Sequence, residues 1–168
     1  MKLNTSTSQF LMRYTGKNPL PPVAARYVAA HSHPIRPKIV HMYANRDPNT
    51  LWWRVSVNPL QSSFKRVVRS WGARRARTAF MQALKARGFD REGRRVVHNT
   101  TEPGTKADVD FNLRGSLEIS VRPQCIKEGY AAVQQEINFL LDDLLQQLKN
   151  NQTKLQEKKK GTMFDQKR

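Results

Sequence analysis

The chain has 168 residues, with 30 Lys/Arg against 13 Asp/Glu, a formal charge of +17 and one cysteine. That length suits a single domain with appendages; lone Cys125 rules out an internal disulfide and a cysteine-based zinc site, and no window approaches the roughly 18–20 apolar residues of a membrane span. Charge is lopsided: residues 1–89 carry sixteen basic side chains and one acid, Asp47, whereas residues 90–168 carry fourteen and twelve, so the front half repels itself unless a polyanion lies against it. Nucleic acid is the first candidate and an anionic membrane surface the second.

Residues 1–46 contain no acid, a Ser/Thr cluster from Thr5 to Ser8, and prolines at 19, 21, 22, 34 and 37. Arg- and Ser-containing, acid-poor N-termini are typical of mitochondrial transit peptides, but Pro19–Pro22 would stop a presequence helix early. The expected organisation is a retained basic N-terminal extension over 1–46, a compact domain over 47–148 and a lysine-rich tail over 149–168. After a DPN turn, LWWRVSV alternates Leu51, Trp53, Val55 and Val57 with Trp52, Arg54 and Ser56, the pattern of a strand with one apolar face. Trp53 is then a core residue. Trp52 falls on the Arg54 side, where it is either covered by a neighbouring helix or free to stack on a base.

The most informative stretch runs from Phe64 to Arg95. It holds Lys65, Arg66, Arg69, Arg74, Arg75, Arg77, Lys85, Arg87, Arg91, Arg94 and Arg95 against Asp90 and Glu92. Apolar residues recur at Phe64, Val67, Val68 and Trp71, then at Ala76, Ala79, Phe80, Ala83 and Leu84, the spacing of a helix with one buried face. Gly72 is expected to divide two helices or kink one, and Gly88 to cap the end in a left-handed conformation. Arginine outnumbers lysine here, and its planar fork grips phosphate bidentately and stacks on bases as an ammonium cannot. Those eleven residues and Arg54 form the expected RNA-binding set. Changing Arg74, Arg75 and Arg77 together to Ala should then spare the isolated fold.

DREG reads as a turn, RRVVHNT as a short strand, 99–110 as a polar loop, and FNLRGSLEISVRP as a returning strand. Leu113, Leu117, Ile119 and Val121 share one side of it, with Gly115 at a bend or bulge. Residues 124–148 form the clearest helix, with Tyr130, Val133, Ile137, Leu140, Leu141, Leu144 and Leu148 in a stripe. Packing on the sheet is the default use of that stripe; a partner-protein interface is the alternative. These elements predict an α+β fold of about three strands with two or three helices on the sheet.

Catalytic and ligand motifs are sparse. YTGKN and PGTKAD lack the first glycine of a phosphate loop. His31, His33 and His41 would need further ligands to hold a metal, and the carboxylate pairs Asp108/Asp110 and Asp142/Asp143 sit in a loop and on a helix face. Cys125 has no nucleophile signature and reads as a buried spectator. The expectation is no enzyme, no metal, no cofactor and no small-molecule substrate.

In general character the chain resembles small basic ribosomal proteins, particularly mitochondrial ones. The acid-free stretch MKLNTSTSQFLMRYTGKNPLPPVAARYVAAHSHPIRPKIV, the helix SWGARRARTAFMQALKAR and the tail KLQEKKKG carry that likeness. It implies a structural rRNA-binding subunit in the mitochondrial matrix, with rRNA and neighbouring ribosomal proteins as partners; a cytoplasmic ribonucleoprotein is the alternative location. Two other functions stay open: an accessory subunit of another mitochondrial complex docking through the 130–148 stripe, and an RNA-processing factor.

Overall fold

The computed structural model describes residues 1–96 and 111–165, with only the backbone of Gln152 and of 154–165. The end of the RRVVHNT segment, the polar loop and Asp108/Asp110 lie outside the described residues. Strands β1 (Lys2–Ser6), β2 (Phe10–Thr15), β3 (Leu51–Ser56) and β4 (Gly115–Val121) form one sheet in the order β1-β2-β4-β3. β1, β2 and β4 pair antiparallel, and β3 pairs parallel to β4. Helices α1 (Pro22–Ala29) and α2 (Arg36–Ala44) link β2 to β3. α3 (Arg66–Ala86) follows β3, and α4 (Gln124–Lys127) and α5 (Tyr130–Asp165) follow β4. The fold class is α+β, with four strands rather than about three: β3 and β4 are expected, β1 and β2 are not, and the described start of RRVVHNT forms only an isolated bridge between Phe89 and Arg95.

β1 and β2 together overturn the boundary expected at residue 46. Phe10, Met12 and Tyr14 alternate along β2 and are buried, while β1 supplies half-buried Leu3. The β1–β2 turn is also tied to α5. Glu136 accepts hydrogen bonds from Ser8 Oγ at 2.6 Å, the Gln9 backbone N–H at 3.1 Å and Gln9 Nε2 at 3.0 Å. Burial alone would raise the Glu136 carboxyl, but the hydrogen bonds from Ser8, Thr7 and Gln9 outweigh it and hold the group below its usual range. The N-terminal residues are therefore a sheet hairpin, and only α1–α2 resembles an appendage, with Ala24 its single buried residue.

α3 and α5 cover one face of the sheet and pack on each other. α3 is continuous through Gly72, so the expected division there does not occur. Gly72 packs close to α4: a Cβ at this position would sit 2.7 Å from Ile126 Cδ1, the far end of a side chain that would have to shift aside. The helix carries the roughly 1 kcal/mol that a mid-helix glycine costs. The buried face of α3 is Gly72, Ala73, Ala76, Ala79, Phe80, Ala83 and Leu84. Val67 and Trp71, expected in the stripe, are exposed at 79% and 46%. Gly88 has φ 76° after the last turn, as a left-handed cap requires. Gly115 opens β4 at φ 98°.

On α5, Val133, Ile137, Leu140, Leu141, Leu144 and Leu148 are all buried in the core, joined by Leu145. Only Tyr130 of the stripe is exposed, its hydroxyl bonded to Gln82 Oε1 at 2.8 Å. The stripe is an internal packing face, which removes it as a partner interface. The helix also runs without a break past residue 148 to Asp165, so no separate tail begins at 149. At 1.5 Å per residue its length is about 54 Å. No described helix is long and apolar enough to cross a membrane.

Candidate nucleic-acid interface

β3 is an edge strand of the sheet, and α3 runs beside it after the turn at Asn58–Leu60. Two clefts lie along this border. One, of 500 Å³, is lined by Leu51, Trp53 and Val55 of β3 together with Arg46, Arg54, Arg77, Arg91 and Glu92. The next, of 380 Å³, is lined by Val57, Arg66, Arg69, Ser70, Ala73, Arg74 and Arg77. Arg77 stands in both, so the two clefts adjoin; together they make a trough along the border with seven arginines and one acid on its walls. Helical periodicity explains the alignment: positions 66, 69, 73, 74 and 77 fall on one side of α3.

Arg54 is paired with Glu118 at 2.9 Å across β3 and β4, with both side chains partly exposed; such a pair is worth little and leaves the guanidinium available to a stronger partner. Arg69 Nε is buried and has no partner among the described residues. A buried, unmade donor costs about 1–3 kcal/mol. Low-dielectric walls on one side and a row of fixed cations concentrate positive potential in the trough. A chain of phosphates fits that geometry.

Other members of the expected set do different work. Arg75 donates from Nη1 to Cys125 O at 3.0 Å and from Nη2 to Glu128 O at 2.8 Å, and lies 4.5 Å over Trp71. It holds α4 against α3, so it is structural. Arg87 donates to Asp142 at 2.7 Å, to the Ala83 and Asn138 carbonyls at 2.8 and 3.1 Å, and to Asn138 Oδ1 at 3.3 Å, tying α3 to α5. Arg94 is paired with Asp47 and Glu92, each at 3.1 Å. Arg95 is half-buried, its backbone N–H on Asn112 Oδ1 at 2.9 Å. Lys65 and Lys85 are exposed but line neither cleft. The expected set thus contracts to Arg54, Arg66, Arg69, Arg74, Arg77 and Arg91, with Arg46 added. Arg46 lies in the segment expected as an extension and outside the expected set, and it directly precedes the DPN turn into β3.

Trp53 contacts Phe80 at 4.9 Å between ring centroids and donates to Arg91 O at 2.9 Å, a core anchor that also fixes the backbone of a trough residue. Trp52 is half-buried, with Arg46 4.6 Å over its ring and Tyr43 5.6 Å away. Cys125 is fully buried, and burial pushes its thiol up to about 11, against the lowering effect of Arg75. His33 accepts from the Ile35 N–H at 3.2 Å and meets Tyr27 edge-on, both within the α1–α2 connection. Among the described residues no group of three or more His, Cys, Asp or Glu is close enough to hold a metal. No family model matches the chain, nor does any curated protein or solved structure.

Proposed function

We propose that the protein is a structural RNA-binding subunit of a ribosome, the mitochondrial one by its composition, seated on rRNA through the trough between β3 and α3. The observation that carries this reading is seven arginines lining two adjoining clefts, opposed by a single lining acid. Phosphate contacts release condensed counterions, so affinity falls steeply with salt and carries little sequence information. With roughly six arginines on phosphate, the log–log salt slope is about −4 to −5. Shape of the RNA and a few unstacked bases then supply specificity. The burial of the α5 stripe weighs against the accessory-subunit alternative, which needed that face exposed.

Sedimentation of the tagged full-length protein through a gradient tests the assignment. Co-migration with a ribosomal subunit, lost after RNase and lost in an Arg66→Ala/Arg69→Ala/Arg74→Ala/Arg77→Ala variant, is the expected result. Migration with a protein assembly that survives RNase would overturn it.

A further inference from the structure

The sheet face opposite α3 and α5 carries a third cleft, of 450 Å³, bounded by the Pro19–Pro22 segment, Tyr43 of α2 and the outward side chains of β2, β3 and β4. Register places Arg13, Glu118 and Arg54 side by side across three strands, with Trp52 two residues from Arg54 on the same face. The volume lies in the range of small-ligand sites, and the prolines fix one wall in advance of binding. Two aromatic rings, three arginines and one carboxylate match a flat, aromatic, anionic ligand: a nucleotide.

Details of Trp52 sharpen this. Its Nε1 donates to Asp47 O at 3.0 Å, which fixes the ring. The Arg46 guanidinium lies 4.6 Å over it, so a planar, delocalised group already occupies a stacking position there. Arg46 and Arg54 line both this cleft and the trough. A base arriving on Trp52 would take the place of Arg46 and leave that cation free to meet the phosphate of the same nucleotide in the trough. Glu118 can only accept hydrogen bonds, and one of its oxygens is on Arg54. Its remaining acceptor capacity suits a base edge bearing N–H donors, best met by the adjacent N1–H and amino group of guanine and worst by uracil.

We propose that this cleft captures one unstacked nucleotide, guanosine foremost, from an RNA whose phosphates lie in the trough. The proposal rests on the RNA-binding reading for the source of the nucleotide. Its test uses the full-length protein with four probes: a plain RNA hairpin, the same hairpin with a single bulged guanosine, the same with a single bulged uridine, and free GMP. Stacking of one base predicts about tenfold tighter binding of the bulged hairpin, with quenched tryptophan fluorescence. Trp52→Ala should abolish that advantage while the plain hairpin still binds with a steep salt slope, Trp52→Phe should keep most of it, and Glu118→Gln should erase the preference for a bulged guanosine over a bulged uridine. Equal affinity for both hairpins, or an advantage indifferent to Trp52→Ala and Trp52→Phe alike, would overturn the pocket while salt-dependent binding of both leaves the trough standing. Failure to bind either RNA would overturn the RNA reading itself; in that event Trp52-dependent binding of GMP would keep the pocket as a nucleotide site fed by free nucleotide, and its absence would remove the pocket too.

Discussion

Arg74 and Arg75 are neighbours on α3, one of them exposed on the trough wall and the other turned onto the carbonyls of Cys125 and Glu128. The same division runs along the rest of the segment, with Arg66, Arg69 and Arg77 in the trough and Arg87 locked to α5. Identical chemistry thus serves two ends, set by the angle at which each position leaves the helix. A guanidinium over helix C-terminal carbonyls or a facing helix has its donors used internally. One beside the edge strand has donors but few protein acceptors, since almost all acids of the chain lie after residue 89. Charge count alone cannot separate these groups; position can.

The largest expected break in that comparison comes from the trough. Replacing Arg66, Arg69, Arg74 and Arg77 together by Ala should lower RNA affinity about 10²- to 10³-fold near 0.15 M salt, at roughly 0.7–0.9 counterions per contact. Unfolding should shift little, because Arg66, Arg74 and Arg77 are exposed, where substitutions usually stay within about 0.5 kcal/mol each, and half-buried Arg69 makes no hydrogen bond from Nε. Anisotropy titrations and a denaturant melt on the same samples check both halves.

Arg87→Ala should show the reverse profile. Losing four hydrogen bonds, one to Asp142, should destabilise the fold by about 2–3 kcal/mol, read as a lower denaturant midpoint, with the salt slope of RNA binding intact. Lysine should not restore the loss, since it cannot satisfy the fork. The expectation that Arg74, Arg75 and Arg77 could all be removed without harm to the fold fails at Arg75 for the same reason.

A smaller effect belongs to Glu136. Its folded carboxyl titrates below the unfolded value, so its contribution is full above the ordinary carboxylate range and is lost as pH falls through the depressed folded value. Glu136→Gln should cost about 1–2 kcal/mol at neutral pH and flatten the acid limb of a stability–pH curve measured by melts. The smallest change concerns Cys125. Fully buried, with its thiol at about 11, it should resist iodoacetamide at pH 8 in the native protein and react only after unfolding, as mass spectrometry would show.

The sequence made some of this legible and hid the rest for identifiable reasons. Period-2 alternation in Leu51–Val57 and Leu117–Val121 and the long stripe from Val133 to Leu148 are strong enough to read directly. The same alternation exists at Phe10, Met12 and Tyr14, but neighbouring serines, threonines and prolines made it look like an extension. Gly72 reads as a breaker within its own segment, while the side chain that packs against it comes from Ile126, 54 positions away. The trough was legible only as a surplus of arginine. Which guanidiniums face outward depends on the β3–α3 border and on acceptors from α4 and α5, which no local pattern reveals.

The most direct test of the trough is the salt dependence of binding to a plain RNA hairpin by the intact protein and by the Arg66/Arg69/Arg74/Arg77 variant. A slope of about −4 to −5 that falls in magnitude by about 3 in the variant is the predicted result. Equal slopes for the two proteins would show that phosphates do not lie between β3 and α3.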